Sequence, residues 1–357
     1  MRVCILGGGL SSLTLAKALV NQKIHVDLLD SKKSINLNNS RTLGISKKNL
    51  DFFNNYIINI EKINWKLQKI QIFSDNLKNE KLLNFENNKN QIFSIIRNYE
   101  LYKILDKNLK KNKFFRKKNF KKKNLFKNQD IVINTDYSNV ITKKYFNKQI
   151  IKKYNSYAYT TIIEHQRILN NVATQIFTKK GPLAFLPVSN TKTSIVYSVN
   201  SSNRKDPQII KELIHHYNFK YKIKKFNNIE SFELKSLNLR SYHYKKFLAF
   251  GDLLHRIHPL AGQGFNMTIR DIKILLKIIE SKKKLGLPLD SSVNFEFEKK
   301  TRHKNFIFSN GVDLIYEFFN LERKTKNIFL SKSVQILGSN YSINKVFKKL
   351  ANEGLYF

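Results

Sequence analysis

One cysteine, five prolines and twelve glycines serve 357 residues, and each scarcity closes off something. A lone Cys4 excludes an internal disulfide framework and a zinc site built on cysteines. No run approaches the ~18 consecutive apolar residues of a membrane-spanning helix. The stretch MRVCILGGG has an arginine but neither a long apolar segment nor a small-residue cleavage site, so it reads as fold and not as signal peptide. Together these absences lead to the expectation of a cytoplasmic protein. Acidic residues are also short: 26 Asp and Glu face 65 Lys and Arg, a formal charge of +39. A selected excess of that size would point to nucleic acid or an anionic membrane. The bases are 54 Lys against 11 Arg, scattered among Asn and Ile, which is the look of codon drift in an AT-rich genome. No helix-turn-helix, zinc-finger or RNA-recognition signature accompanies them, so no nucleic-acid partner is expected. The densest run, 107–128, reads as a solvated hairpin or loop. A role at a membrane surface is physically reasonable, since each cation near anionic lipid contributes ~1 kcal/mol.

What is present suffices for a core, with 41% apolar and 12% aromatic residues in a chain long enough for two domains or one interleaved pair. Arg2–Leu6 reads as a strand, Gly7-Gly8-Gly9 as a turn, Leu10–Gln22 as a helix and Ile24–Leu29 as a second strand. That is a βαβ start and implies a parallel sheet. Residues 93–109 read as strand then helix, and 129–136 as a short apolar strand ending in Asp136. From about Tyr145 to Leu234 the pattern is β-rich; 246–252 is again a strand, 266–283 a helix, and the tail from about Val293 is helical.

Two glycine-dependent stretches carry the chemistry. In the first, Gly7 and Gly9 match the leading glycines of a G-x-G-x-x-G turn, with Ser12 in the third place. Such a turn lets backbone approach a pyrophosphate at a helix N-terminus, here Leu10, Ser11 and Ser12. Asp30 ends the second strand, where an acid can hold an adenosine ribose; this much indicates a dinucleotide, either NAD or FAD. The second stretch is GDLLHRIHPLAGQGFN, residues 251–266. A strand delivers Gly251 and Asp252, thirteen irregular residues follow, and a helix begins near Asn266. Asp252 can accept bonds from polyol hydroxyls, and Gly262 and Gly264 let backbone N–H groups approach a flat ring near a helix N-terminus.

These residues resemble the flavin motif GDAAHxxHPxAGQGxNxGxxD of the class A flavoprotein aromatic hydroxylases, and most of all the ubiquinone-biosynthesis hydroxylases that act on polyprenylated phenols. Residues 41–46 (RTLGIS) are similar to the family's R-x-x-A-L-S segment, which makes Arg41 a candidate FAD contact; 94–101 match a strand–helix start with a flavin-proximal polar residue, Arg97 or Asn98. Residues 177–189, FTKKGPLAFLPVS, resemble the ubiquinone group's F-T-x-x-G-P-L-A-L-L-P. The resemblance implies FAD as cofactor, NAD(P)H as transient reductant and O2 as co-substrate, with a flavin hydroperoxide oxygenating a phenol or quinol ring. By position Gly251 and Asp252 would hold the ribityl–pyrophosphate region, while Pro259, Gly262, Gln263, Gly264 and Asn266 would line the isoalloxazine. His255 and His258 would be acid–base candidates only secondarily to polar packing, and no metal site is implied. The implied fold is α/β: a Rossmann-like, p-hydroxybenzoate hydroxylase-like FAD domain from 1–70, 94–140 and 236–285, an interleaved β-sheet substrate domain from 71–93 and 141–235, and a helical C-terminal segment, 286–357. A prenylated substrate would bring the protein to the inner face of the inner membrane or into a complex with other proteins of the pathway.

Two departures stand out. The family's G-A-D-G segment reads Asn134-Thr135-Asp136-Tyr137, where Asp136 keeps its place and Tyr137 must avoid the positive φ that glycine accepts. Ser12 replaces the third glycine. Alternative readings are an FAD-dependent prenyl-lipid reductase or epoxidase, a diverged non-catalytic member, and a basic nucleic-acid or scaffold protein whose nucleotide motifs are relics.

Overall fold

The structure, a computed structural model, describes residues 1–30, 39–77, 80–86, 91–119, 126, 128–201, 203–325 and 328–339. Its first sheet has the strand order His243–Tyr244, Phe247–Ala249, Ile131–Asn134, Arg2–Leu6, His25–Asp30, Phe115–Asn119. All neighbours run parallel except the first pair. Strands buried on both faces need continuous apolar runs, and VCIL and IVI supply them. The helix Leu10–Asn21 buries Leu13, Leu15, Ala16, Ala18, Leu19 and Val20 against this sheet's core. From Arg2–Leu6 the chain proceeds outward through His25–Asp30 to Phe115–Asn119. It then returns to place Ile131–Asn134 on the opposite side of the first strand. That reversal opens a crevice at the carboxyl ends of the two neighbouring strands, the usual ligand position in open α/β sheets.

The basic run 107–128 is a correction. Its described part is the end of the helix Asn98–Lys110 and then an edge strand, Phe115–Asn119, paired with His25–Asp30. Phe115 is buried while Arg116, Lys117 and Lys118 are exposed, so a parallel edge strand tolerates a sequence that looks wholly solvated.

A nine-stranded, mostly antiparallel sheet forms the second layer, built around Gln149–His165 with Lys192–Asn200 and Glu230–Leu239 on its flanks. Lys69–Ser74 and Lys81–Glu86 join its far edge. Thr42–Ser46, Phe93–Arg97 and Asn64–Leu67 make a small antiparallel sheet.

The helix Ser291–Thr325 unites these parts through a buried polar row. Glu298 accepts from the backbone N–H of Tyr242 at 2.9 Å and from His243 Nδ1 at 2.8 Å. Asn305 donates to Asp271 at 3.0 Å, and Ser309 accepts from Asn238 at 3.0 Å. Asp313 accepts from the Tyr154 hydroxyl and from Ser236, and the Tyr316 hydroxyl donates to Asn200 at 2.9 Å. Leaving any one of these buried groups without its partner costs about 1–3 kcal/mol.

Candidate functional site

Four parallel strands end at one edge of the first sheet, and their ends bring the motif residues together. Gly7 follows Arg2–Leu6, Asp30 closes His25–Asp30, Thr135 and Asp136 follow Ile131–Asn134, and Gly251 and Asp252 follow Phe247–Ala249. The ladder runs on into the motifs: Gly7 N–H donates to Leu29 O at 2.9 Å, Thr135 N–H to Leu6 O at 3.0 Å, and Phe250 N–H to Asn134 O at 2.8 Å.

The glycines divide the labour by space. At Gly7, φ is +109° and a Cβ would lie 2.5 Å from Thr135 Oγ1; at Gly251, φ is +63° and a Cβ would lie 2.9 Å from Ser11 Cβ. These two let the neighbouring strand ends close on the helix start. At Gly8 a Cβ would lie 2.0 Å from the Asp30 carboxylate, so the middle glycine of the triplet is what lets the buried Asp30 lie across the turn. Gly9 is exposed and a Cβ there would meet nothing within 4 Å. It caps the helix Leu10–Asn21 with no side-chain cap bond and no acid in the first turn. The helix therefore presents free N–H groups and its positive dipole end to the open side of the turn. Leu10 turns back to the core, and Ser11 packs on Gly251.

The departures from the glycine pattern answer each other. Ser12 and Thr135 lie 2.6 Å apart, oxygen to oxygen. Thr135 spends its one hydroxyl proton on Leu6 O at 2.9 Å, so Ser12 is the donor of the pair. The segment after Asn134 is held by side chains: Asn134 accepts from Asp136 N–H at 3.1 Å, Asp136 accepts from Ser138 N–H at 2.9 Å, and Asn139 caps the next helix through Thr142 N–H at 2.9 Å. Tyr137 is exposed and is not among the described residues with positive φ. The guanidinium of Arg256 rests 5.5 Å from its ring.

Residues 251–266 form a strap. After the turn at Gly251, His255–Arg256 pairs with Leu237 and Asn238; Leu260–Gly262 is a 3₁₀ turn that follows Pro259; and Gly262, at φ +61°, starts the helix Gln263–Lys284. A Cβ on Gly262 would approach Gly44 backbone at 3.3 Å, which sets the strap against the strand Thr42–Ser46. Asn266, fully buried, locks that contact. Its amide donates to Gly44 O at 2.9 Å and Gly262 O at 3.1 Å, while its oxygen accepts from Ser46 N–H at 3.0 Å and Asn49 at 2.8 Å. Gln263 accepts from Arg270 at 2.9 Å, so its side chain also points into the protein. Gly264 faces open space. What the strap offers outward is backbone at Pro259, Gly262 and Gly264, again at a helix start without a side-chain cap or a first-turn acid.

The two histidines of the strap are buried. His255 bonds Asp271 through Nε2 at 2.7 Å. His258 stacks on Tyr316 with centroids 4.4 Å apart and meets Tyr154 edge-on at 5.0 Å. Burial and the adjacent Asp313 hold the Tyr154 hydroxyl well above its ordinary range, so it stays protonated and donates. Arg41 and Arg97 lie at one end of the small sheet, where Thr42 pairs with Arg97 and Asn98 N–H donates to Arg41 O at 3.0 Å; Arg97 also contacts Glu100 at 3.3 Å. The large sheet turns a small-side-chain face to the strap. Tyr154 and Ala158 pack with Ile257, Leu260 and Met267, while Thr160 and Ser194 bond to Ser40 and Thr42. Across the strands Ala158 pairs with Ser198 and Thr160 with Val196, a run of small side chains that ends at Ile162 beside Ser194.

Sequence reasoning passed over Gly8, Gly44, Thr135, Asp271 and Asn305. Gly8 was in view inside GGG and Asp271 inside the strap motif, but the partners that give them meaning are 22 and 16 residues away.

The arrangement fits a dinucleotide carrying a flat ring. A Cβ at Gly9 or Gly264 would enter open space, the donors are backbone N–H groups at two helix starts, and the acids Asp30, Asp136 and Asp252 lie at or just after strand ends on the same edge. Comparison with known proteins agrees. The FAD binding domain family matches residues 124–283. The chain is 29% identical over 153 residues to the 3-demethoxyubiquinol 3-hydroxylase of Escherichia coli (strain K12), covering 41% of this chain and 39% of that protein. It is 22% identical over 262 residues to the mitochondrial ubiquinone biosynthesis monooxygenase COQ6 of Drosophila melanogaster, covering 62% and 55%. The chain thus spans about two fifths to just over half of the length of these relatives. Among solved structures, p-nitrophenol 4-monooxygenase PnpA from Pseudomonas putida DLL-E4 superposes with a TM-score of 0.80 over 98% of both chains at 12% identity. The R204Q variant of HpxO of Klebsiella pneumoniae, complexed with FAD, gives 0.77 at 12% identity, covering 98% of this chain and 99% of that one. Residues 124–283 thus resemble an FAD binding domain, the chain has the fold of PnpA and HpxO, and the two relatives named above are a demethoxyubiquinol hydroxylase and a ubiquinone biosynthesis monooxygenase.

Proposed function

We propose that the chain is an FAD-dependent monooxygenase that hydroxylates the aromatic ring of a polyprenylated phenol or quinol in ubiquinone biosynthesis, using NAD(P)H and O2. The observation that carries this reading is the meeting of the two glycine motifs at one sheet edge, opposite a floor of small side chains. Bound FAD would supply the redox chemistry that links NAD(P)H oxidation to insertion of one oxygen atom. The protein's tasks follow from its geometry. Gly7 and Gly9 bring backbone up to the pyrophosphate, with the helix start at Leu10, Ser11 and Ser12 supplying N–H donors. Asp30 holds the adenosine ribose and Asp252 the ribityl hydroxyls, while Asp136 shapes the turn beside them. Pro259, Gly262 and Gly264 lay backbone along the ring, and Asn266 and Gln263 keep that backbone in place. Arg41 and Arg97 would contact the FAD. The floor of Ala158, Thr160, Ser194, Val196 and Ser198 leaves room for an aromatic head group and excludes water from it.

No described helix is long and apolar enough to cross a membrane. A prenylated substrate would therefore be met at a bilayer surface, and the charge of +39 favours an anionic one. The test is to express the chain in strains lacking each ring hydroxylase of the pathway and to identify the quinone intermediates by mass under ¹⁸O₂. Restored quinone with one labelled ring oxygen more than the intermediate that the strain accumulates supports the proposal, a product with no added label points to a reductase, and a colourless protein that cannot be reconstituted with FAD overturns the reading.

A further inference from the structure

His255 lies in the strap and Asp271 in the helix that follows it, and the two side chains touch. Both side chains are completely buried, and His255 Nε2 lies 2.7 Å from Asp271 Oδ2. Asn305, from the helix Ser291–Thr325, donates to the other carboxylate oxygen at 3.0 Å. At that distance from a carboxylate, Nε2 carries the proton and donates. His255 Nδ1 is buried and has no hydrogen-bond partner among the described residues. The orientation of the imidazole therefore rests on Asp271 alone.

The placement gives the contact its meaning. His255 lies on the limb that enters the strap, just after the turn at Gly251–Asp252. Asp271 lies two turns into the helix that leaves it, Gln263–Lys284. Between them run Pro259, the 3₁₀ turn Leu260–Gly262 and Gly264, the backbone that faces the cofactor side. The bond closes these residues into a loop pinned at both ends, and Asn305 holds the carboxylate at the correct angle. We infer that His255 and Asp271 are a positioning pair that sets the pose of the strap at the cofactor site, and not an acid–base couple. The inference rests on the reading of this site as an FAD site. A pinned strap presents its N–H groups without reorganisation, which is where fixed donors gain most.

The test uses His255→Gln, whose amide nitrogen reaches where Nε2 does, beside His255→Leu and Asp271→Asn. FAD affinity is read by fluorescence titration of the apoprotein, and strap mobility by hydrogen exchange of amides 253–264 in the apoprotein. His255→Leu is expected to weaken FAD by about ten- to a hundredfold, the size of a lost charge-assisted hydrogen bond. His255→Gln should stay within about threefold of the parent, and its strap amides should exchange at parental rates while those of His255→Leu exchange faster. Should His255→Leu not fold, Asp271→Asn keeps the volume but halves the bond strength and is expected to lose affinity several-fold. Parental affinity and exchange in His255→Leu or Asp271→Asn overturns the inference, as does a His255→Gln variant as impaired as His255→Leu. If the parent binds no FAD, the proposed function fails, and hydrogen exchange still decides whether the pair pins the strap.

Discussion

The hydroxyl pair Ser12–Thr135 turns two departures from a glycine pattern into one measurable interaction. Ser12 is fully buried, donates to Thr135 Oγ1 at 2.6 Å, and Thr135 donates onward to Leu6 O at 2.9 Å. Ser12→Ala removes one bond and leaves Thr135 still bonded to Leu6, an expected loss of about 0.5–1.5 kcal/mol. Thr135→Ala removes both bonds and strands the Ser12 hydroxyl in the core, an expected loss of about 1–3 kcal/mol. The double variant has no stranded group, so its loss should fall short of the sum by about 0.5–1.5 kcal/mol. Ser12→Gly, which would restore the familiar glycine, should be worse than Ser12→Ala by up to about 1 kcal/mol, because the position lies inside a helix. Guanidinium unfolding of the parent and the four variants as apoproteins, read by circular dichroism, measures these differences. Additivity within about 0.3 kcal/mol would refute the coupling.

Three further outcomes are expected. Gly8→Ala places a Cβ 2.0 Å from the Asp30 carboxylate, so it should displace that carboxylate, cost about 1–3 kcal/mol by overpacking, and weaken FAD binding in a fluorescence titration. Asn266→Leu leaves Ser46 N–H, Asn49, Gly44 O and Gly262 O without their shared partner. A loss above about 3 kcal/mol by chemical denaturation is expected, and a loss below 1 would contradict the clamp. Burial pushes the Cys4 thiol from 9.0 up to about 12. The folded state keeps a proton that the unfolded chain gives up, so this contribution to stability is complete below pH 9 and is lost as pH rises toward 12. Native protein should resist iodoacetamide at pH 8.5, where unfolded protein reacts.

Local rhythm made the core of the fold legible. Apolar VCIL and IVI flanking glycine turns announce buried parallel strands, and the helix Gln263–Lys284 follows from the spacing of Ile269, Ile272, Leu275, Leu276 and Ile279. The glycine positions were legible too, since few residues take φ near +60° or +109°. What stayed hidden is pairwise. Nothing beside Ser12 announces Thr135, and nothing beside Asp271 announces Asn305, because those contacts depend on how the sheet order folds back on itself. The edge strand Phe115–Asn119 was hidden for a different reason: composition there is dominated by lysines that an edge leaves in water, and one buried phenylalanine is a weak signal.

The polar row on the helix Ser291–Thr325 bears on how the chain is made. Tyr154, Ser236 and Asn238 belong to strands translated well before residues 309 and 313 that satisfy them. Until residues 309–319 leave the ribosome, one layer of the large sheet lacks the partners and the cover that they supply. Tyr154, Ala158, Phe177 and Leu234 are in that cluster and wait for Val312, Tyr316 and Phe319. The nascent chain is thus open to aggregation and proteolysis until that helix emerges, and a stop codon near residue 300 removes far more than a peripheral helix.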